Sequence, residues 1–240
     1  MGKPARGIRA ENRERLEAAI LTIARRHLGE VGAAGLSLRA IARELGMASS
    51  AVYRYVASRD ELLTRLIVES FTALGDAAER AEAAVPRGDV RERFLATGRA
   101  VREWGVAHPF DWALLFGSPV PGYAAPEDRT TPAGTRVQFL LLRILADMAH
   151  LGMATAPNAA GISPAARASA AAIADDVGPE IDTADLTPEL LLAGIDAWTL
   201  LIAGVSREVF GHLGEIADAE ELYESTLLHA LSLVVAAPEP

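Results

Sequence analysis

The stretch LRAIARELGMASSAVYRYV, which runs from Leu38 to Val56, determines how the rest of the chain is interpreted. Its apolar spacing predicts two short helices joined by a tight turn, with Gly46 as the left-handed residue that ends the first helix. The second helix has only Val52 and Val56 as clear inward residues, so packing on neighbouring helices must hold it. We interpret the pattern as a helix-turn-helix whose second helix enters the major groove of DNA. An ordinary three-helix subdomain remains the alternative.

The polar surface of the second helix supplies candidate DNA contacts. Phosphate oxygens accept hydrogen bonds from Ser, Tyr and Arg side chains, and base edges accept further donors. The side chains left on this surface belong to Ser49, Ser50, Tyr53, Arg54 and Tyr55. We expect Ser49, Ser50 and Arg54 to be the better candidates for reading bases.

Helices are predicted on both sides of this stretch. Apolar residues at three- and four-residue steps predict a first helix over about 12–28, after a basic and flexible arm over 1–10. Ser37 is the predicted N-cap of the next helix. Ser58 is the predicted N-cap of a long amphipathic helix and, with Glu61, has the spacing of a capping box.

The charge of the chain is divided unevenly along its length. The net charge is −9, yet residues 1–60 hold eleven Arg or Lys against six Asp or Glu, and the rest hold twelve against twenty-six. A basic head on an acidic body is typical of a DNA-binding module attached to a part that avoids DNA. An ordinary fluctuation of charge along the sequence is the alternative.

A long ordered pattern extends from Ile20 to Leu63. It consists of Ala24, Gly32, Leu38, Ile41, Ala42, Gly46, the run Val52-Tyr53-Arg54-Tyr55-Val56 and the run Ser58-Arg59-Asp60-Glu61-Leu62-Leu63. With this pattern the sequence resembles the N-terminal domain of the TetR family of transcriptional regulators. The resemblance implies that Tyr53, Tyr55 and Ser37 bind phosphates.

Two positions depart from the family pattern. Arg59 stands where the family usually has Lys, a change that preserves a phosphate contact. Ala48 stands where the family often has Ser or Thr, which puts a cap or phosphate contact there in doubt, and Ser49 is the candidate replacement. The complete predicted DNA-binding set is Ser37, Arg39, Ser49, Ser50, Tyr53, Arg54, Tyr55 and Arg59.

Aromatic residues cluster between positions 104 and 116, although they make up only 5% of the chain. Core packing around a bend and an aromatic-lined pocket for an apolar or amphipathic ligand both account for this cluster. The stretch resembles the C-terminal domain of the WHG subgroup of TetR proteins, which implies a helical body with a pocket. The predicted ligand-binding residues are Trp104, His108, Phe110, Trp112, Phe116, Met148 and Trp198.

Two helices near the C-terminus, over about 188–210 and 218–235, are apolar on more than one face. Such helices are buried either in a core or in an interface. We expect them to form a four-helix bundle with a second copy, as TetR-like proteins do, with a monomer as the alternative. The predicted dimerisation residues are Leu191, Ile195, Trp198, Ile202, Val205, Leu227 and Leu231.

Other classes of protein receive no support from the sequence. There is no cysteine, the charged N-terminus lacks a signal peptide, and charge interrupts the apolar runs before ~18 residues, so we expect a soluble, cytoplasmic protein without a membrane contact. The five histidines are scattered, and we find no nucleophile elbow or phosphate-binding loop. We therefore expect no enzyme, no cofactor and no metal site.

These observations together predict an all-α protein. A helix-turn-helix domain with its arm over 1–58 would be joined by a long helix to a helical ligand-binding and dimerisation domain over 59–240. The expected function is that of a homodimeric regulator of transcription, more specifically a repressor that a small-molecule effector releases from double-stranded operator DNA. The alternative is a helical small-molecule-binding protein without DNA-binding activity.

Overall fold

The computed structural model describes residues 5–156, 159–178, 181–214 and 218–235. Over these residues the fold is all-α, as predicted. The β-type pairing among them is an isolated bridge between Ala154 and Val235. The helices are α1 (Ala5–Gly35), α2 (Leu38–Glu44), α3 (Ser49–Val52), α4 (Arg59–Ala83), α5 (Val90–Ala107), α6 (Pro109–Phe116), α7 (Glu127–Gly134), α8 (Arg136–His150), α9 (Pro164–Val177), α10 (Pro188–Val209) and α11 (Ala219–Ser232), with a 3₁₀ turn at Ala159–Gly161.

The chain forms two compact units that are not contiguous in sequence. Unit 1 contains the residues up to Phe71 together with His108–Gly134, and unit 2 contains Thr72–Ala107 together with the residues from Thr135 onward. Helix α4 therefore contributes its first half to unit 1 and its second half to unit 2. The functional division into 1–58 and 59–240 remains a prediction.

The core of unit 1 is built by apolar residues of α1, α2, α3 and α4 that repeat at helical spacing. Ser37 caps α2, as predicted, because its Oγ accepts a hydrogen bond from the backbone N–H of Ala40. Gly46 has φ 65°, which confirms its predicted left-handed conformation. The buried residues of this core are Ile20, Leu21, Ala24, Leu28, Leu36, Leu38, Ile41, Ala42, Val52, Val56, Leu62, Leu63 and Leu66.

The first helix is longer than predicted. It begins at Ala5, so most of the expected arm is helical, while residues 1–4 lie outside the described residues. The helix also continues past Gly29 and is broken only at Gly32, where φ is 68°. One glycine is tolerated inside a helix when the flanking turns are strong, so Gly29 alone does not end it.

A capping box has two reciprocal hydrogen bonds, and the structure confirms the one that the Ser58 side chain accepts. The Ser58 Oγ accepts a hydrogen bond from the Glu61 N–H at 3.0 Å. The Glu61 carboxylate instead accepts hydrogen bonds from Arg65 and Arg129, at 2.7 Å and 2.6 Å. The bond from Arg129 is the main cause that holds the pKa of Glu61 below its ordinary value. Arg129 is distant in sequence, so local spacing alone did not predict this pairing.

One helix boundary differs from what the sequence pattern indicates. The apolar spacing from Val137 to Met148 predicts a single helix from Pro132 to His150, whereas the structure has two helices, α7 and α8, with Thr135 between them. Pro132 lies inside α7 instead of beginning a helix.

The start of α10 follows the pattern of an N-cap followed by Pro, which Thr187 and Pro188 predict. The Thr187 Oγ1 accepts a hydrogen bond from the Leu190 N–H at 3.2 Å, which confirms the cap.

Among the described helices, α10 is the one whose length and composition would allow it to cross a membrane. A third of its most apolar 18-residue segment is buried within the chain. Leu190, Leu201 and Val205 lie in the core of unit 2, and the core helix of a soluble protein passes the same test. Its remaining apolar surface becomes important for the quaternary structure proposed below.

Unit 2 buries a guanidinium group, that of Arg93 on α5. Its Nε donates to Glu82 at 2.6 Å, and its Nη1 donates to Asp147 at 2.7 Å and to the carbonyl of Arg87 at 3.2 Å. The exposed Arg87 side chain approaches the same two carboxylates from the solvent side. A buried charge is stable only when it is paired, so Arg93 requires these two carboxylates.

Replacing Arg93 should therefore destabilise the protein far more than replacing Arg87. We expect Arg93→Met to lower the free energy of unfolding by about 3–5 kcal/mol, because it leaves the largely buried Glu82 with the longer 3.5 Å contact to the exposed Arg87. Arg87→Met should cost less than about 1 kcal/mol, as for other exposed ion pairs. Urea unfolding followed by circular dichroism measures both. An equal loss of unfolding free energy in the two variants would show that burial of Arg93 does not set its contribution to stability.

Candidate nucleic-acid interface

Helix α3, the second helix of the helix-turn-helix, is anchored in the core of unit 1 by two valines. Val52 and Val56 have no exposed surface and pack in the core of unit 1. The turn before α3 is closed by a 2.8 Å hydrogen bond from the Met47 N–H to the Ala42 carbonyl. The short helix is thus positioned by packing and by its turn, as the sequence predicted.

The N-terminus of α3 is capped only by backbone. Ala48 occupies the N-cap with φ −61° and ψ 137°, and it has no side chain that accepts a hydrogen bond. Its carbonyl accepts a 2.8 Å bond from the Ala51 N–H. The side chains of Ser49 and Ser50 are both exposed at this end. Orphan N–H groups at a helix start favour anions, and the exposed hydroxyls add donors beside them.

The C-terminal side of the same surface carries Tyr53 and Arg54, both exposed. Tyr55 is half-buried, and its ring packs against the core of unit 1. Arg13 of α1 lies over this ring, with its Cζ 5.6 Å from the ring centroid, and its Nη2 donates to the Arg54 carbonyl at 3.2 Å. Sequence reasoning missed Arg13 because 41 residues separate it from Arg54, and no local pattern links the two.

A second basic position was also missed. Helix α2 buries Leu38, Ile41 and Ala42 and exposes Arg39 and Arg43. Residues four apart lie on one face of a helix, so these two guanidinium groups share the exposed side of α2. The spacing alone would have identified Arg43 as a companion of Arg39.

Two predicted phosphate ligands already have structural roles. The Ser37 Oγ accepts a hydrogen bond at the start of α2, but its own O–H still has a proton to donate. The Arg59 Nη2 donates to the carbonyls of Ala33 and Ala34, at 2.9 Å and 3.1 Å, and so satisfies the end of α1. A phosphate contact by Arg59 would have to use its other N–H groups.

We call helices α1–α3 the reader. A buried carboxylate attaches helix α6 to it. Asp111 Oδ1 accepts hydrogen bonds from the Ser70 Oγ of α4 at 2.5 Å and from the Arg25 Nε of α1 at 3.3 Å. Arg25 also donates to Glu69 of α4 at 2.6 Å. One side chain of α6 thereby fixes the position of that helix against two helices of unit 1.

The predicted ligand-binding residues divide between the two units. His108, Phe110, Trp112 and Phe116 belong to α6 or its N-cap in unit 1, whereas Trp104, Met148 and Trp198 belong to unit 2. Trp112 and Met148 have no exposed surface. These two are packing residues in this structure and would line a ligand site only after neighbouring side chains move. Within unit 1, Trp112 contacts Phe116 at a centroid distance of 4.4 Å.

The predicted dimerisation residues differ in how much surface they expose. Leu191, Val205, Leu227 and Leu231 are buried inside the single chain, so they offer little surface to a partner. A helix that packs on its own core presents its opposite face outward, and periodicity alone could not tell which face the core takes. The apolar side chains that α10 and α11 leave exposed are Ile195, Phe210, Leu222 and Leu228, while Trp198 and Ile202 are half-buried.

This fold and this surface define a class: helical proteins with an N-terminal helix-turn-helix that binds DNA. Comparison with known families agrees. The sequence profile described as "Bacterial regulatory proteins, tetR family" matches residues 20–66. The profile described as "Tetracyclin repressor-like, C-terminal domain" matches residues 94–230.

Individual relatives match over most of the chain. The HTH-type transcriptional regulator Rv1816 of Mycobacterium tuberculosis is 42% identical over 219 residues, which cover 87% of this chain and 86% of the relative. The HTH-type transcriptional regulator Mb1846 of Mycobacterium bovis matches to the same extent. The chain therefore belongs to the TetR family of bacterial regulatory proteins, which confirms the resemblance noted from its sequence.

Solved structures show the same fold. The regulatory protein SCO4313 superimposes with a TM-score of 0.71 at 29% identity, covering 93% of this chain and 98% of that one. The TetR family transcriptional regulator PfmR from Thermus thermophilus has a TM-score of 0.58 at 20% identity and covers 89% of this chain and 97% of its own. At that identity PfmR supports the fold alone.

Proposed function

We propose that this TetR family member is a cytoplasmic, homodimeric transcriptional repressor that leaves its operator when a small apolar or amphipathic molecule binds its helical body. The observation that carries the DNA-binding part is the exposed polar face of α3, held in place by Val52 and Val56. The exposed side chains of this face take no part in the described core of unit 1, and their donors suit phosphates and base edges.

The charge distribution supports the same orientation toward DNA. Arg39 and Arg43 on α2 and Arg54 after α3 are exposed, and Arg13 lies beside Tyr55. We assign Tyr53, Tyr55, Ser37 and the α2 arginines to phosphates, and Ser49, Ser50 and Arg54 to bases. Phosphate contacts would position the reader, and base contacts would supply its sequence specificity.

The effector response is proposed to pass through α6. This helix carries Trp112 and Phe116, and its Asp111 is bonded to Arg25 of α1 and Ser70 of α4. A ligand that favours a different position of α6 would therefore alter the position of α1, the first helix of the reader. It does so only if its affinity differs between the two positions.

A dimer is proposed from the exposed apolar side chains of α10 and α11. Ile195 remains 39% exposed and Leu228 51% exposed in the single chain. Large apolar side chains exposed on adjacent helices favour a helical interface with a second copy. Two copies would also carry two readers, as an operator with two half-sites requires.

Loss of side chains on the reader should weaken operator binding without changing the fold. We expect Tyr53→Phe and Arg54→Ala each to reduce affinity about 10- to 100-fold, because each removes a hydrogen bond to a charged phosphate or a base edge. Fluorescence anisotropy with the DNA upstream of its own gene measures the change. Binding by the unchanged protein should also weaken steeply as salt rises.

Arg143→Ala is the matched control, since it removes an exposed arginine from α8 in unit 2. This variant should bind as the unchanged protein does. Unchanged operator affinity in both Tyr53→Phe and Arg54→Ala would show that the exposed face of α3 does not bind DNA. Ligand binding without any salt-dependent DNA binding would favour the alternative of a helical ligand-binding protein.

Charge placed on the exposed faces of α10 and α11 should separate the dimer. We expect Ile195→Asp, combined with Leu228→Asp, to convert a dimer into a monomer, because the interface would bury unpaired carboxylates. Light scattering after size-exclusion chromatography reports the mass. Ile173→Asp on α9 is the control, since Ile173 has a similar exposure of 42% but lies on another helix. A dimer that survives in the double variant would place the interface elsewhere.

A further inference from the structure

A cavity of about 350 Å³ lies entirely within unit 1. The C-terminal part of α1 forms one wall, α6 forms the second, and the loop after α6 forms the third. The cavity is open to solvent on one side, and its volume lies at the lower end of the ~300–1,000 Å³ range of small-molecule sites. Its walls include Leu28, Gly32, Phe110, Leu114, Pro119 and Pro121.

The loop that forms one wall of this cavity has a restricted backbone, because the rings of Pro119 and Pro121 lock φ. On the α1 wall, Gly32 has φ 68° and no atom within 4 Å of the position that a Cβ would take, so its missing side chain leaves that side open. A wall that is already ordered reduces the entropy lost when a ligand binds.

The Phe110 ring is held at the cavity but remains 52% exposed. It lies so close to Gly29 that a Cβ there would be 2.6 Å from the ring Cε2. The ring is therefore seated on the backbone of α1, with no side chain between them. An exposed aromatic surface of this size gains free energy when a ligand covers it.

The chemistry of the lining defines the class of ligand. None of the described lining residues is charged, and Ser118 supplies the single side-chain hydroxyl among them. The carbonyls of Ala33 and Ala34, on the α1 wall, already accept hydrogen bonds from Arg59. Uncharged side chains offer no ion pair to a charged ligand, and they favour an uncharged one. The lining suits a neutral aromatic molecule with one hydroxyl.

We propose that this cavity is a binding site for a neutral, hydroxyl-bearing aromatic molecule of about two rings, located in the DNA-binding unit itself. Of the residues predicted to bind the effector, only Phe110 lines it. An occupant would contact α1 and α6, the two helices that the Arg25–Asp111 pair also joins. The site depends on the geometry of unit 1 and not on whether α3 binds DNA.

The test uses 2-naphthol, which is neutral near pH 7, and the full-length protein labelled with ¹³C at its alanine methyl groups. Ala33 and Ala113 line the cavity, so their methyl signals report directly on occupancy. We expect saturable shifts of both signals with a Kd below about 1 mM, as for a small ligand of modest efficiency.

Two variants fill the cavity from different walls. Ala34 and Ser118 are both exposed lining residues, so Ala34→Trp and Ser118→Trp should leave the fold intact, which circular dichroism verifies. Each should weaken 2-naphthol binding at the Ala33 and Ala113 methyls at least tenfold. Ala168→Trp, at an exposed position of α9, is the control and should bind as the unchanged protein does.

Two results would overturn the site. One is a set of shifts confined to alanine methyl groups of unit 2, and the other is undiminished binding at Ala33 and Ala113 in both filled variants. Because no DNA is present in this titration, its outcome is independent of the operator-binding measurements.

Discussion

The insertion of Val52 and Val56 into the core of unit 1 is the constraint on which the DNA-binding surface depends. Helix α3 spans four residues, Ser49–Val52, and so short a helix does not persist in water by itself. Because these two valines are fully buried, the residues between and around them have their orientation fixed. Ser49, Ser50, Tyr53 and Arg54 are exposed as a consequence, and the preorganised donors need little further ordering on binding.

The same unit includes a helix that follows far later in the chain. Asp111 of α6 is buried between Ser70 of α4 and Arg25 of α1, so α6 packs with the reader although it follows α5 of unit 2. A reader that consisted only of the N-terminal residues would lack this support. In the proposed function this carboxylate gives the effector-responsive helix a direct bond to the first helix of the reader.

The sequence predicted what local chemistry determines. The N-caps Ser37, Ser58 and Thr187 and the left-handed residue Gly46 all depend on neighbouring residues, and the structure confirms them. Contacts between distant segments were missed. Examples are Arg13 against Tyr55, Arg129 with Glu61, and Arg59 on the end of α1. Burial of Leu191 and Leu227 likewise depends on which helices pack together, and an apolar stripe does not specify its partner.

In the proposed function, two copies of the α2–α3 surface read DNA together. Selection of bound duplexes from a random pool by the full-length protein, followed by sequencing, tests this pairing. We expect an inverted repeat whose half-site centres lie about one helical turn, ~34 Å, or slightly more apart. Enrichment of no sequence, or of a single site without two-fold symmetry, would contradict it.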